Sequence, residues 1–128
     1  MNDFAAAEWE RAGKALNSAR LILESDPDSS ASRAYYAAFH AVTAVFALEG
    51  RTFKKHSAVR SAVHRDLVKV GRIAPQMGDD FDFLMDLREQ GDYGNTSRVT
   101  LQAARVAVLK AQAIVDAVGE SCPELSGG

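Results

Sequence analysis

The stretch ASRAYYAAFHAVTAVFAL, residues 31–48, decides the fold, because no other part of the 128-residue chain is as apolar over as many residues. On a 100° helical wheel, Ala34, Tyr35, Ala38, Phe39, Val42, Val45, Phe46 and Leu48 fill one wide arc. Arg33, Tyr36, His40 and Thr43 share a narrower stripe with Ala37, Ala44 and Ala47. The segment is therefore read as the central helix of the molecule. Alanines on the polar stripe let another helix or another chain approach closely. Arg33, Tyr36 and His40 are accordingly expected to face a partner surface and not open water.

Working outward, clear breakers separate further helical patterns, and no strand-like alternation occurs. The expected class is all-α, an up-and-down antiparallel bundle of about five helices. A first helix over residues 2–24 carries Ala5, Trp9, Ala12, Leu16, Ala19 and Leu23 at three-four spacing. Asp26 can cap the central helix, with Pro27 at its first position and Gly50 as its stop. A third helix over 57–70 directs Val59, Val63, Leu67 and Val70 inward and closes at Gly71. Residues 71–80, with Pro75 and Gly78, read as a loop before a fourth helix over 81–90. The fifth opens near Ser97 and ends before Gly119, its seam being Leu101, Ala104, Val108, Ala111, Val115 and Val118. One domain over residues 1–119 is expected, followed by a disordered tail over 120–128 with nothing to bury.

Composition narrows the class. The single cysteine, Cys122, can form no internal disulfide, which fits a reducing compartment. The N-terminus has acidic residues where a secretory signal would have an apolar run, and residues 41–48 are too short to cross a bilayer. A cytoplasmic protein without membrane contact is expected. The net charge of −2 conceals a basic segment: residues 51–72 hold seven lysines and arginines against Asp66 alone. Such a segment is either a solvated face or a contact for phosphates or an acidic partner.

The fourth helix carries charge on its apolar side. Taking Phe81 as origin, Leu84, Met85, Arg88 and Asp92 fall within about 60° of it on the wheel. Arg88 and Asp92 should therefore point inward, where charges must be paired and hydrogen-bonded. The pair belongs either to a structural network that includes Arg33 or a tyrosine, or to a cleft that binds a phosphate or a base.

The succession SRAYYAAFHAVTAVFALEG, KKHSAVRSAVHRDLVKVGRI and LMDLREQGDYG resembles the HEPN family of small helical domains, over about residues 32–94. Its most specific parts are Arg33 to His40 and Arg88 to Tyr93. The resemblance implies a five-helix bundle, a homodimer, and pairing with a minimal nucleotidyltransferase in toxin–antitoxin or defence systems. Many members are metal-independent ribonucleases with Arg, four to six residues, then His, near the end of a late helix. Here Tyr93 stands where that histidine would follow Arg88. Arg33 and His40 meet the spacing, but on the second helix. Metal-free RNA cleavage needs a base near neutral pKa and a cation for the phosphorane, and tyrosine titrates near 10.

Other chemistries lack their residues. His40, His56 and His64 have neither the spacing nor the carboxylates of a zinc site, and no phosphate loop or serine elbow is present. No cofactor is expected. The leading expectation is a module that binds a nucleotide, RNA or a partner protein through Arg33, Tyr36, His40, Arg88, Asp92 and Tyr93. The alternatives are a ribonuclease toxin, with His40 and Arg88 as catalytic candidates, and a dimeric scaffold without a ligand.

Overall fold

The computed structural model describes residues 2–93 and 98–125. Five α-helices form a bundle: α1 (Asp3–Ile22), α2 (Pro27–Leu48), α3 (His56–Ala62), α4 (Pro75–Tyr93) and α5 (Leu101–Ser121). A π-helical segment, Val63–Val68, continues α3, and a 3₁₀ turn, Pro123–Leu125, follows α5. Among the described residues there is no strand, and no helix is long and apolar enough to cross a membrane.

The helix starts are written in side chains. Asn2 accepts from the Ala5 amide, Asp26 from that of Ser29 and Thr100 from that of Ala103, each satisfying a donor that the first turn leaves unpaired. Gly50 and Gly71 adopt φ of 75° and 81°, the left-handed conformation that stops α2 and the π-helical segment. Asp28, just inside α2, accepts the Val99 amide at 2.7 Å and thereby anchors the approach to α5.

Helix α2 packs against α1, α4 and α5, which accounts for its wide apolar arc. Tyr35, Val42 and Phe46 are fully buried on it. Helix α1 runs antiparallel along the alanine stripe. Asn2 at its start donates to the carbonyl of Ala47, and the buried Ser30 hydroxyl donates to that of Ala19 near its end. Ala37, Ala44, Ala47 and Thr43 are thus covered, while Ala5, Ala12, Ala15 and Ala19 of α1 are equally buried. The close approach that the alanines permit is made largely by a helix of the same chain.

Thr43 Oγ1 is buried there without a hydrogen-bond partner among the described residues. Exchange of Thr43 for valine keeps the shape and removes an unpaired hydroxyl. It is expected to stabilise the protein by about 1 kcal/mol, read as a raised urea midpoint; a lowered midpoint would show that the hydroxyl is satisfied.

Several boundaries differ from the sequence expectation. Helix α4 begins at Pro75 and not at Phe81, because proline suits a first helical position and Gly78 lets the backbone lie against His64. Val70, placed on the inward face by a 3.6-residue period, is 62% exposed. The π-helical turn shifts the register after Val63, and only Val59, Val63 and Leu67 remain inside. Helix α5 continues to Ser121, past the expected end at 119. Cys122 and Leu125 are buried against the bundle, so this part of the expected tail has apolar surface to bury.

Candidate functional site

The polar stripe of α2 emerges between α1, α3 and α4, and Tyr36 is its hub. The Arg33 guanidinium carbon lies 4.9 Å from the centroid of the Tyr36 ring, and that of Arg88 lies 5.4 Å from it. Arg88 also donates through Nη2 to the Tyr36 hydroxyl at 3.1 Å and through Nε to Asp92 at 3.2 Å, and it covers the Tyr35 ring at 5.5 Å. The His40 ring is 5.9 Å from that of Tyr36. Arg33, Tyr36, His40, Arg88 and Asp92 therefore meet on one face. The side chain of Tyr93 lies outside the described residues.

The expectation that Arg88 and Asp92 form an inward pair holds for the arginine alone. Arg88 is 13% exposed, whereas Asp92 is 31% exposed and sits at the rim. One helical turn carries the stripe out of the core as α4 ends. The arginine is held at its edge by the carboxylate and the Tyr36 hydroxyl and packs on two tyrosine rings, an arrangement that fixes a planar cation close under the surface.

Two further residues, Glu8 and His56, belong to this face. Glu8 of α1 is almost wholly buried; it accepts from His40 Nδ1 at 2.6 Å and from Arg11 at 2.6 Å. The carboxylate fixes the proton of that bond on Nδ1 and leaves Nε2 as the outward nitrogen of His40. Residues 5, 8, 12, 15 and 19 form one three-four series, so the spacing already put Glu8 in the alanine seam; only its polarity argued against burial. His56 opens α3 and stacks on Phe39 with ring centroids 4.4 Å apart. Its Nδ1 meets the Tyr35 hydroxyl at 2.7 Å.

Electrostatics assign that last bond. Burial, chiefly, pushes the Tyr35 phenol above its ordinary range, so it keeps its proton. Burial, then the charges of Arg88 and His40, holds His56 below the usual imidazole value. A phenol that keeps its proton and an imidazole that resists one make Tyr35 the donor and His56 Nδ1 the acceptor.

Beside His40 a shallow depression of about 240 Å³ is lined by Arg11, Lys14, Ala15, Ser18, Arg33 and His40. The face as a whole offers the hydrogen-bonded Arg88 guanidinium, that of the exposed Arg33 over the Tyr36 ring, and an oriented imidazole. Such a surface suits anionic or aromatic ligands. Among the described residues no three His, Cys, Asp or Glu side chains converge as a metal site requires.

Comparison with known proteins agrees with this architecture. The HEPN domain family model matches residues 6–121, nearly the whole bundle. A protein of Thermotoga maritima described as a UPF0332 protein is 31% identical over 119 residues, which cover 91% of this chain and 90% of that one.

Proposed function

The chain belongs to the HEPN family, and from that premise we propose that it is a binding module for a nucleotide, acting with a partner protein and not cutting RNA. Family membership makes it a nucleotide- or RNA-related module in the general sense. The observation that carries the finer reading is the Arg88 guanidinium, bound to Asp92 and the Tyr36 hydroxyl and set against two tyrosine rings. A fixed cation beside the partly exposed Tyr36 ring can hold a phosphate and leave a base to stack. The resemblance adds a homodimer and a minimal nucleotidyltransferase as the partner, in a toxin–antitoxin or defence setting.

The test is titration with ATP carrying a fluorescent label on the ribose, followed by anisotropy. Arg88→Gln removes a charged contact worth about 1.5–3 kcal/mol and is expected to weaken binding about ten- to a hundred-fold. Unchanged affinity in a variant with a native circular dichroism spectrum would refute the assignment.

A second reading is favoured by the Glu8–His40 pair. A carboxylate on Nδ1 holds an imidazole so that Nε2 can take the proton of a ribose 2′-hydroxyl, while Arg33 or Arg88 stabilises the charge on phosphorus. The 2′-oxygen would then form its bond to phosphorus as the bond to the 5′-oxygen breaks, and the leaving 5′-oxygen takes a proton from water. End-labelled RNA incubated in excess chelator decides between the two. Cleavage that both His40→Ala and Arg88→Gln abolish would establish the ribonuclease.

A further inference from the structure

A second cluster lies one to two turns along α3, at the π-helical segment. Arg60, Ser61, His64, Arg65, Lys69 and Asp82 line an open cavity of about 540 Å³. Three cations, an imidazole and a hydroxyl thus face a single carboxylate. That carboxylate is already engaged: Asp82 Oδ1 accepts from Arg60 Nε and from His64 Nε2, each at 2.9 Å. It orients both groups, and Arg60 donates in addition through Nη2 to Asp86 at 3.3 Å, so among the described residues the cation left without a carboxylate in this cluster is Lys69. Arg65 is fixed by two hydrogen bonds to Asp66, at 2.9 and 2.8 Å. The Lys69 ammonium has no hydrogen-bond or ion-pair partner among the described residues.

Two features of the backbone build this cavity. The π-helical turn spans Val63–Val68, and its wider register brings Arg65 and Lys69 round to the side of Ser61. Across from it, a Cβ at Gly78 would come within 2.8 Å of His64 Cε1 and 3.0 Å of Val68 Cγ2. Only a glycine lets α4 lie close enough for Asp82 to reach His64. The walls include the aliphatic stems of the long cationic side chains, so the cavity takes more than a bare ion.

We propose that this cavity binds a phosphate ester, with Lys69, Arg65 and the Ser61 hydroxyl meeting the phosphate oxygens and Asp82 positioning His64 and Arg60. It is separate from the face around Tyr36, and it stands whether or not that face binds a nucleotide. The same chemistry serves a free nucleotide or the backbone of RNA, and two probes separate them.

The experiment titrates ADP by calorimetry and a 5′-fluorescein-labelled single-stranded RNA of about twelve nucleotides by anisotropy. Wild type is compared with Arg65→Glu/Lys69→Glu, both in the native background and in Arg88→Gln. Both exchanged residues are exposed, so the variant keeps its fold, checked by its thermal midpoint. A tenfold or larger loss of ADP binding that persists with Arg88→Gln assigns the cavity to nucleotides. The same loss for RNA alone, with a shallower salt dependence by about one per phosphate contact removed, assigns it to the polymer backbone. Failure of wild type to bind either probe, or affinities for both within twofold of wild type in the double variant, overturns the proposal. Arg88→Gln that loses binding while Arg65→Glu/Lys69→Glu does not would confine binding to the Tyr36 face.

Discussion

Exchange of Phe46 for alanine is expected to lower the unfolding free energy by about 3–5 kcal/mol, the largest effect of any single truncation on α2. The ring is fully buried, meets Phe53 edge-on with centroids 5.2 Å apart, and lies under the Arg51 guanidinium at 4.9 Å. Removing it takes away the transfer free energy of the ring and leaves a cavity that neighbouring helices cannot fill without moving. Urea denaturation measures it, and a loss below about 1 kcal/mol would contradict the central position of α2. Phe39 shares the same sequence arc but is only half-buried, against His56. Truncation there is expected to cost less.

The second large effect concerns a charge. Asp80 is 4% exposed and accepts from Lys110 Nζ at 2.7 Å and from Gln76 at 2.9 Å. Lys110 also lies over the Phe83 ring at 5.2 Å. Exchange of Lys110 for alanine leaves the carboxylate buried with one amide donor. A cost near the lower end of about 3–5 kcal/mol is expected, because the lysine retains some solvent access. The double variant Asp80→Leu/Lys110→Met replaces both charges with apolar groups and should be more stable than Lys110→Ala. A double-mutant cycle that comes out additive would show that the two groups do not interact across α4 and α5.

Arg88 and Asp80 show how far helical periodicity reads charge. The wheel places Arg88 beside Phe81 and Leu84, and the arginine is indeed largely buried. It also places Asp92 there, where α4 runs out of the core and the carboxylate reaches the rim. Glu8 and Asp80 are buried carboxylates whose polarity alone argues for the surface, although Glu8 stands in the three-four alanine seam of α1. Each has one partner a turn away on its own helix, and a second, His40 or Lys110, on another. The wheel locates a residue on its own helix and says nothing of what packs opposite.

Local chemistry determined the helices of this protein. Caps at Asn2, Asp26 and Thr100, stops at Gly50 and Gly71, and three-four seams are each settled within a few residues, so the sequence alone specifies an all-α bundle around α2. It also marked Arg33, Tyr36, His40 and Arg88 as polar groups on helix faces that pack. Only the tertiary structure decided which of them meet. Tyr36 and Arg88 are 52 residues apart, Glu8 and His40 are 32 apart, Tyr35 and His56 are 21 apart. A hydrogen bond tolerates a few tenths of an ångström, while periodicity fixes only a face. The pairing of side chains therefore waits on the axial register of the helices, which the packing of alanines between α1 and α2 and the π-helical turn after α3 set together.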